Sequence, residues 1–442
     1  MNGAPVRRGV IPPRAPLDAT VRPPGSKSET NRALVCAALA DGTSVIDNVL
    51  HADDTAAMAE CLVRLGARVG VEATDDAAVD SGRVRVVGLA GRPVPGPEAL
   101  DARLSGTTAR FVAPVAALGG RTVRLTGAPG LVARPMGDLL DALRELGAGV
   151  VELGGAGHLP VQLGDPPLRG GSVRMRGDVS SQFLSGLLLA GPCTELGLEV
   201  HLETDLVSVP YVELTVDVMR RFGAEVSGDA HVGYRVAPGG YVAADVVIEP
   251  DATAASYLMA APLLAGGTVR IEGIGSRTRQ GDAAFAQVLA RMGASVELGP
   301  DVTVVSSTGS LRGVEVDLAD MSDVAQTLAA VAAVAEGPTD IRGIGFIRAK
   351  ETDRIGAVVA ELRRLGIRAE EHDDGLTVHG GEPHGGVVRT YGDHRMAMSF
   401  ALLGLRIPGI VIEDPACVDK TFPGFFDVLD RLGGGGPDAV VP

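Results

Sequence analysis

The stretch ASYLMAAPLLAGGTVRIEGI, from Ala255 to Ile274, decides the fold, because it joins two kinds of structure across one turn. Its first part is apolar and rich in alanine, as in a buried helix, and its last part is rich in β-branched residues, as in a strand. The glycine pair Gly266–Gly267 between them is a typical turn signal. The stretch therefore predicts a helix that runs through a tight turn into a strand.

The same pattern recurs five more times along the chain. The other copies are RALVCAALADGTSVIDNV (32–49), ARFVAPVAALGGRTVRLTG (109–127), QFLSGLLLAGPCTELGLEVHL (182–202), AQTLAAVAAVAEGPTDIRGI (325–344) and MAMSFALLGLRIPGIVIEDP (396–415). Their starts lie about 70 residues apart, which suits a supersecondary unit better than one turn of a solenoid. We therefore predict six α/β units, three in each of two domains, with the junction near Val247; the third and sixth copies match least well.

Each copy is followed by a second segment with the apolar spacing of an amphipathic helix. In DLLDALRELGA (138–148), the four leucines fall on one face of a helix with 3.6 residues per turn, and AFAQVLARMGA (284–294) repeats this spacing. Most of these segments end on glycine, the residue that most often takes the left-handed conformation of a helix cap. We expect such caps at Gly66, Gly147, Gly223, Gly293 and Gly366.

Composition narrows the class of protein. The chain has 442 residues, 45% hydrophobic and 21% charged, which is the balance of a soluble globular protein with two domains. A net charge of −15 and an aromatic content of 3% argue against a nucleic-acid partner, which needs basic surfaces and stacking side chains. The four scattered cysteines indicate buried thiols in a reducing compartment. No apolar run suits a membrane span or a signal peptide, so we expect a cytoplasmic protein with no membrane partner.

The polar residues suited to chemistry gather at the predicted starts of the helices. First helices start with SKSETNR, LSGTTAR, DVSSQF, DATAAS, SDVAQT and GDHRMA, and second helices start with ADDTAA, ARPMGD, VSVPYV, RQGDAA, AKETDR and DKTFPG. Ser, Thr and Asp are ordinary N-caps, so one such motif alone indicates only a cap. A helix start also offers unpaired N–H groups and the positive end of the helix dipole, which together favour phosphate or carboxylate.

Lysine usage singles out three of these starts. Only three of the 40 lysine and arginine residues are lysines, and Lys27, Lys350 and Lys420 all lie in these segments. A cation in the first turn opposes the helix dipole and so needs another purpose. Unlike arginine, lysine can lose its proton when it is desolvated or crowded by other cations. The pattern therefore indicates an anion-binding site that also moves protons.

In their order along the chain, these motifs resemble those of the enolpyruvyl transferases, most closely the members that act on shikimate 3-phosphate. The matching segments are PGSKSETNRA, SGTTAR, GAPGLVARPMGDLLDALRELGA, GDVSSQFLSGLL, VSVPYVELT, RAKETDRI, YGDHRMAMSF and VDKTFPGFF. The resemblance implies an α/β (α+β) fold of two domains, each with three βαβαββ units, with helix N-termini facing an interdomain cleft. We expect residues 1–24 and 248–442, with repeats 4–6, to form one domain, and residues 25–247, with repeats 1–3, to form an inserted one.

The resemblance also implies an activity. Such an enzyme transfers the enolpyruvyl group of phosphoenolpyruvate to the 5-hydroxyl of shikimate 3-phosphate and releases phosphate, through a tetrahedral adduct, in the shikimate pathway of aromatic amino acid biosynthesis. It uses no metal and no other cofactor, and its partners are the two small-molecule substrates. We expect a monomer whose two domains close on shikimate 3-phosphate, because the residues implied for that ligand come from both domains.

The same resemblance implies which residues form the site. Phosphoenolpyruvate would be bound by Lys27, Gly106, Thr107, Arg134, Gln182, Arg354, Arg395 and Lys420. Shikimate 3-phosphate would be bound by Ser28, Arg32, Ser180, Ser181, Gln182, Ser208, Tyr211, Asp323 and Lys350. The catalytic residues would be Lys27, Asp323, Glu351 and His394. The residue types suit the chemistry, since phosphates and carboxylates need cations and hydroxyls, and proton transfer needs an acid and a base.

The sequence departs from the family's common pattern at three places. Leu104 and Ser105 precede Gly106 where an Asn-Ala or Asn-Ser pair is common, which bears on phosphoenolpyruvate binding. Phe346 stands where some members carry an asparagine before the RxKE motif, and Glu29 follows the predicted phosphate ligand Ser28.

Other interpretations stay open at this point. The sister enzyme that uses UDP-N-acetylglucosamine usually carries a cysteine in the loop before the RP motif, but that loop here is GAPGLVARP (127–135). The serine pair at 180–181 and the KETDR stretch also favour shikimate 3-phosphate. A paralogue that uses another hydroxylated acceptor fits the same motifs. A non-catalytic anion-binding scaffold would need the cations but not Asp323, Glu351 and His394.

Overall fold

A computed structural model of the chain describes residues 6–72, 82–94, 96, 99–434 and 440–441. The chain divides into two compact units. The terminal unit comprises Met1–Pro24 and Glu249–Pro442, and the central unit comprises Gly25–Ile248. That these units are independent domains with the boundaries given above stays a prediction.

The strands are short. In chain order they are β1 (Arg7–Gly9), β2 (Leu17–Val21), β3 (Ala40–Asp41), β4 (Thr43–Val49), β5 (Arg68–Glu72), β6 (Gly82–Val87), β7 (Leu100–Asp101), β8 (Val123–Thr126), β9 (Val150–Glu152), β10 (Val161–Leu163), β11 (Gly171–Met175), β12 (Leu198–Leu202), β13 (Val226–Asp229), β14 (Gly233–Val236), β15 (Tyr241–Val242), β16 (Val246–Val247), β17 (Gly267–Glu272), β18 (Ser295–Leu298), β19 (Val302–Ser306), β20 (Glu315–Asp317), β21 (Pro338–Arg342), β22 (Arg368–His372), β23 (Gly375–His379), β24 (Gly386–Val388), β25 (Ile410–Glu413) and β26 (Val440–Val441).

The helices alternate with these strands. They are α1 (Lys27–Leu39), α2 (Asp53–Arg64), α3 (Gly106–Ala117), α4 (Pro129–Val132), α5 (Gly137–Glu145), α6 (Ser181–Ala190), α7 (Val209–Arg221), α8 (Ala252–Ala265), α9 (Phe285–Met292), α10 (Ala325–Ala332), α11 (Arg354–Arg364), α12 (His394–Leu403) and α13 (Phe425–Gly434). Short 3₁₀ helices span Gly191–Cys193, Gly281–Ala284, Ser322–Val324, Gly345–Ala349 and Pro415–Lys420. No helix within the described ranges is long and apolar enough to cross a membrane.

Five sheets share one topology, which confirms the predicted α/β repeat. In each, the strand after the repeat's first helix pairs in parallel with a strand on one side and antiparallel with a hairpin on the other. In the fourth repeat, β26 also pairs in parallel with β2. The orders are β16-β4-β6-β5, β7-β8-β10-β9 and β11-β12-β14-β13 in the central unit, and β18-β19-β17-β2-β26 and β20-β21-β23-β22 in the terminal unit.

Three repeats take a strand from a distant part of the chain. In the fourth this is β2, which precedes the central unit and pairs in parallel with β17. The first repeat is completed by β16, which returns after the third repeat and pairs in parallel with β4. In the sixth repeat, β25 pairs in parallel with β24 and antiparallel with the N-terminal strand β1, where the other repeats place their own hairpin. The third copy, although it matches less well in sequence, forms a complete four-stranded sheet.

The two helices of each repeat are buried to different degrees, as their sequences predict. First helices such as α8 are buried along nearly their whole length, because they lie at the centre of each unit's core. Second helices bury one stripe: the leucines at 139, 140, 143 and 146 are at most 2% exposed. The five predicted glycine caps are confirmed, since all have φ between 81° and 113°.

The helix start predicted at the AKETDR motif is wrong by a few residues. Helix α11 begins at Arg354, because the Asp353 carboxylate accepts hydrogen bonds from the backbone N–H groups of Ile355 and Gly356, at 3.2 and 3.1 Å. Lys350 and Glu351 therefore lie in the connection between a 3₁₀ helix and α11 rather than in a first helical turn.

The DKTFPG motif shows the same kind of difference. Lys420 ends the 3₁₀ helix Pro415–Lys420, and α13 begins only at Phe425. Pro423, which lacks an N–H group, and Gly424, with a φ of 76°, separate the two. Of the three lysines, only Lys27 is the first residue of an α-helix.

Candidate active site

Each unit gathers charged or hydroxylated side chains predicted for the site, and the two groups are described separately. The arginine–carboxylate cluster of the terminal unit consists of Asp323, Glu351, Arg354, Asp393, Arg395 and Lys420. It lies where α11 and α12 begin and where the 3₁₀ helices before α10 and α13 run.

Arg354 is the centre of this cluster. Its guanidinium is 2% exposed and donates to three carboxylates: Nε to Asp393 at 2.8 Å, and the terminal nitrogens to Asp323 at 2.9 Å and Glu351 at 2.7 Å. Burial disfavours the charged guanidinium, but these carboxylates outweigh burial and raise the pKa of Arg354 above its ordinary value. The side chain is therefore a fixed cation.

Asp323 bridges the two arginines. Its second oxygen accepts from Arg395 at 2.6 Å, while the first accepts from Arg354. Arg395 also lies 3.5 Å from the Tyr257 hydroxyl, whose pKa is raised to about 12 mainly by burial. The Tyr257 hydroxyl therefore stays protonated at neutral pH and can orient the guanidinium without adding charge.

Glu351 lies between two cations. One oxygen accepts from Arg354, and the other lies 3.5 Å from the ammonium of Lys420. The Glu351 side chain is 13% exposed and that of Lys420 is 9% exposed, so the pair is largely shielded from water. An anion that drew either cation away would make the carboxylate a better proton acceptor.

Asp393 and His394 open helix α12. Asp393 is fully buried, and its other oxygen accepts from the backbone N–H of Arg395 at 2.8 Å, as an N-cap does. The His394 ring is 1% exposed and its Nδ1 lies 3.6 Å from Asp393. The catalytic role of His394 stays a prediction.

Lys350 lies beside an aromatic ring. Its ammonium is 5.9 Å from the centroid of Phe346, within the range of a cation–π contact. The residue that departs from the family's asparagine thus faces the cation predicted to bind shikimate 3-phosphate.

The hydroxyl–cation cluster of the central unit joins the starts of several helices. Its members are Lys27, Ser28, Arg32, Asp54, Gly106, Thr107, Arg110, Arg134, Ser180, Ser181, Gln182, Ser208 and Tyr211. Lys27 lies 3.4 Å from the Asp54 carboxylate, which is 4% exposed at the start of α2. The backbone carbonyl of Asp54 accepts from the hydroxyl of Thr108 on α3 at 3.2 Å. These contacts hold the starts of α1, α2 and α3 together.

Two arginines approach the start of α3. A Cβ atom added to Gly106 would lie 2.3 Å from a terminal nitrogen of Arg110 and 3.1 Å from one of Arg134, so glycine is needed for this approach. Both arginines are nearly buried. Two guanidinium groups at a helix N-terminus form a strong anion-binding arrangement.

Gln182 connects this arrangement to α6. Its carbonyl oxygen accepts from Arg110 at 3.0 Å, and its amide donates to Thr107 at 3.3 Å. Ser180 caps α6 by accepting from the backbone N–H of Gln182, and Ser181 is the first residue of that helix. The predicted residues Thr107 and Gln182 therefore lie in direct contact.

Arg32 ties α1 to α7. Its guanidinium donates to the carbonyls of Ser28 at 2.8 Å and Tyr211 at 2.9 Å and to the Thr215 hydroxyl at 2.7 Å, and it lies over the Phe111 ring. Burial lowers the pKa of Arg32 to about 10, which still leaves it charged at neutral pH. Ser208, just before α7, has a φ of 56°, a conformation that costs energy for a residue other than glycine.

The comparisons with known proteins agree with this picture. A model of the EPSP synthase family (3-phosphoshikimate 1-carboxyvinyltransferase) matches residues 11–429. The chain belongs to the EPSP synthase family. A 3-phosphoshikimate 1-carboxyvinyltransferase from Nostoc punctiforme is 42% identical over 415 residues, covering 93% of this chain and 95% of the relative. One from Serratia proteamaculans is 41% identical over 432 residues, covering 96% and 98%.

Solved structures extend the likeness to the fold. EPSP synthase from Acinetobacter baumannii superposes with a TM-score of 0.79 at 26% identity, covering 97% of this chain and 98% of that one. The enolpyruvyl transferase NikO from Streptomyces tendae has a TM-score of 0.76 at 24% identity, covering 98% of both, and supports the fold alone. The predicted enolpyruvyl transferase fold is therefore confirmed.

Three residues of these clusters were missed by sequence reasoning. Arg110 and Asp393 lie inside motifs that match the EPSP synthase family, and Asp54 lies in the ADDTAA helix start, yet none was assigned a role. An Asp directly before a helix that begins with His-Arg was the available signal for Asp393. Within the described ranges, no group of three or more His, Cys, Asp or Glu side chains could hold a metal ion.

Proposed function

We propose that this chain transfers the enolpyruvyl group of phosphoenolpyruvate to the 5-hydroxyl of shikimate 3-phosphate and releases phosphate. The observation that carries the proposal is the placement of Glu351 between Arg354 and Lys420, in a chain that matches the EPSP synthase family over residues 11–429. A carboxylate held by two cations combines anion binding with a group able to carry a proton. A scaffold that only binds anions needs no group that carries a proton.

Phosphoenolpyruvate would be bound by residues of both clusters. In the terminal unit these are Arg354, Arg395 and Lys420, which are matched by the carboxylates of Asp323, Glu351 and Asp393. In the central unit they are Lys27, Gly106, Thr107, Arg134 and Gln182. Because the cations already donate to carboxylates, an arriving phosphate or carboxylate competes for those donors, and that competition would adjust the proton affinity of Glu351.

Shikimate 3-phosphate would be bound mainly by hydroxyls and cations at helix starts. The residues we assign are Ser28, Arg32, Ser180, Ser181, Gln182, Ser208, Tyr211, Asp323 and Lys350. Serine hydroxyls and helix N-termini suit the phosphate, and a carboxylate such as Asp323 suits a sugar-like hydroxyl.

The proton steps follow from the reaction. In the addition step, the 5-hydroxyl oxygen bonds to C2 of phosphoenolpyruvate and loses its proton, while C3 gains one. In the elimination step, the C2–O bond to phosphate breaks and C3 loses a proton, which restores the double bond. We assign these transfers to Lys27, Asp323 and Glu351, because each lies within hydrogen-bond or ion-pair reach of another charged group of its cluster.

A phosphate-release assay tests the proposal. The purified chain is incubated with phosphoenolpyruvate and either shikimate 3-phosphate or UDP-N-acetylglucosamine, with no-acceptor and no-enzyme controls. Release that depends on shikimate 3-phosphate is the expected result. Release only with UDP-N-acetylglucosamine would assign the sister activity, and no release with either, although both substrates bind, would favour the scaffold.

We further propose that the protein acts as a monomer in the cytoplasm, which size-exclusion chromatography and cell fractionation would check.

A further inference from the structure

Glu361 is a buried carboxylate that the catalytic proposal does not use. It lies on α11, seven residues after Arg354, and none of its side chain is exposed. Seven residues are about two helical turns, so Arg354 and Glu361 point from the same face of the helix. A fully buried charge is costly unless it is paired, so its partners indicate its purpose.

Its partners lie mainly in the connection before α12. Oε1 of Glu361 accepts from the Tyr391 hydroxyl at 2.7 Å, and Oε2 accepts from the backbone N–H of Arg389 at 3.0 Å. Oε2 also accepts from Arg364, one turn further along α11, at 3.0 Å. One face of α11 therefore holds the 389–393 connection at two places. Glu361 holds the beginning of the connection, and Arg354 holds its end at Asp393.

This connection has a conformation that needs support. Tyr391 has a φ of 56°, in the left-handed region that residues other than glycine rarely adopt, and Gly392 follows with a φ of 69°. Tyr391 is 43% exposed, so the hydrogen bond from its hydroxyl to a fully buried carboxylate is a specific anchor rather than a consequence of burial. Strained residues of this kind persist when their surroundings determine them, and they occur often near functional sites.

The 389–393 turn determines the position of Asp393. The backbone N–H of Asp393 donates to the carbonyl of Thr390 at 2.9 Å, and its carboxylate holds the Arg354 side chain and the backbone of Arg395. A shift of the turn would therefore displace the carboxylate that holds the Arg354 guanidinium and the backbone of Arg395, two residues assigned to phosphoenolpyruvate.

We propose that Glu361 is a positioning residue for phosphoenolpyruvate: it fixes the 389–393 turn, and through Asp393 it keeps Arg354 and Arg395 in register. It touches neither substrate. The inference rests on the proposed function, because that function assigns the two arginines to phosphoenolpyruvate.

Three variants test it. Glu361→Leu keeps the size of the side chain but removes both acceptor oxygens. Glu361→Gln keeps an oxygen for the Arg389 N–H and places its amide against the Tyr391 hydroxyl, which can accept as well as donate. Tyr391→Phe removes a single bond. Glu370→Leu, at an exposed carboxylate on β22 that bonds Arg368 and His379, is the matched control.

The readout is the pair of KM values in the phosphate-release assay. For Glu361→Leu we expect the KM of phosphoenolpyruvate to rise about 10-fold or more, while that of shikimate 3-phosphate stays within about 2-fold. Glu361→Gln should restore most of the loss, Tyr391→Phe should raise the same KM by about 2- to 5-fold, and Glu370→Leu should match the parent.

The inference would be overturned if both KM values rose in parallel, or if Glu361→Leu or Tyr391→Phe left both KM values unchanged. Glu361 would then have a merely structural role. If Glu361→Leu does not fold, Tyr391→Phe decides by the same criterion. A parent chain that releases no phosphate with shikimate 3-phosphate would instead contradict the proposed function, so the two failures are distinguishable.

Discussion

The ammonium of Lys420 lies 3.5 Å from the Glu351 carboxylate, and both side chains are largely buried. The two residues are far apart in the sequence. They meet because the 3₁₀ helix Pro415–Lys420, which packs against α12, brings Lys420 to Glu351 in the connection that precedes α11. An ammonium has three N–H donors and can therefore contact several acceptors at once. This geometry favours Lys420 as a ligand for an added anion.

Replacing Lys420 with Ala should therefore weaken phosphoenolpyruvate more than shikimate 3-phosphate. Losing one charged hydrogen bond costs roughly 1.5–3 kcal/mol, which corresponds to about a 10- to 100-fold rise in the KM of phosphoenolpyruvate. Steady-state kinetics with each substrate varied in turn measure the difference. Arg431→Ala, which removes an exposed cation of α13, is the control. Equal losses for both substrates would mean that Lys420 is assigned to the wrong ligand.

Glu29, the unusual neighbour of Ser28, is fully buried and accepts a hydrogen bond from Arg221 on α7. Arg221 is 23% exposed and also lies 3.3 Å from Asp217. Removing the arginine takes a charged partner away from a fully buried carboxylate, whereas removing the carboxylate's charge leaves the arginine with Asp217 and water.

We therefore expect the two halves of this pair to differ in cost. Arg221→Met should lower the free energy of unfolding by about 3–5 kcal/mol, and Glu29→Gln by only about 1 kcal/mol. Urea denaturation of both single variants and the double variant gives the comparison. The double variant should recover part of the Arg221→Met loss, and equal costs for the two single variants would contradict the asymmetry.

The buried thiol of Cys36 should make the free energy of unfolding depend on pH. The described cysteines are free thiols, and burial raises the pKa of Cys36, which is fully buried, to about 12. The pKa of Cys36 is higher in the folded chain than in the unfolded chain. Its contribution to the free energy of unfolding is therefore fully present below the unfolded pKa, near 9, and is lost as the pH rises toward 12. At pH 10 this loss is roughly 1–2 kcal/mol for one such thiol.

Urea denaturation at pH 7.5 and pH 10 measures this dependence. The difference in the free energy of unfolding between the two pH values should be smaller in Cys36→Ala than in the parent by that roughly 1–2 kcal/mol. Comparing two pH values within each protein cancels the cost of the cavity left by the substitution. An identical pH dependence in both proteins would contradict the role of the Cys36 thiol.

The repeat could be predicted from the sequence because its signals are local. Apolar spacing, the glycine turns and caps such as Gly66 and Gly293 lie within one helix and its neighbouring strand. The supply of β16 to the first repeat and of β1 to the sixth could not be predicted, because strands of two or three residues carry no periodicity and pair with distant segments.

The site was predictable by residue type and less so by geometry. The sequence motifs predict helix starts at Lys350, Glu351 and Lys420, because several residues in each motif can cap a helix. Only the folded chain shows that Asp353 caps α11. The link from Arg110 to Gln182 joins two buried helices, so no local pattern could have revealed it. Asp54 resembled one more N-terminal acid until its contact with Lys27 was known.

The decisive prediction concerns Glu351. In the folded chain it cannot be a first-turn acid, since α11 begins three residues later and is capped by Asp353. A structural interpretation remains, because its bond to Arg354 at 2.7 Å fixes a buried cation. The two interpretations differ in what a neutral amide can replace.

Glu351→Gln keeps the shape of the side chain and an oxygen that can accept from Arg354, but it has no transferable proton. If Glu351 only held Arg354, turnover would stay within a few-fold of the parent. As a proton carrier it should lose on the order of 10²–10⁴ in turnover while shikimate 3-phosphate still binds. Turnover from phosphate release and affinity from titration calorimetry, measured on the same preparation, separate the two. The control is Glu315→Gln, which alters an exposed carboxylate 3.8 Å from Arg342 and should match the parent in both measurements. A loss confined to the turnover of Glu351→Gln would then assign the proton step to Glu351.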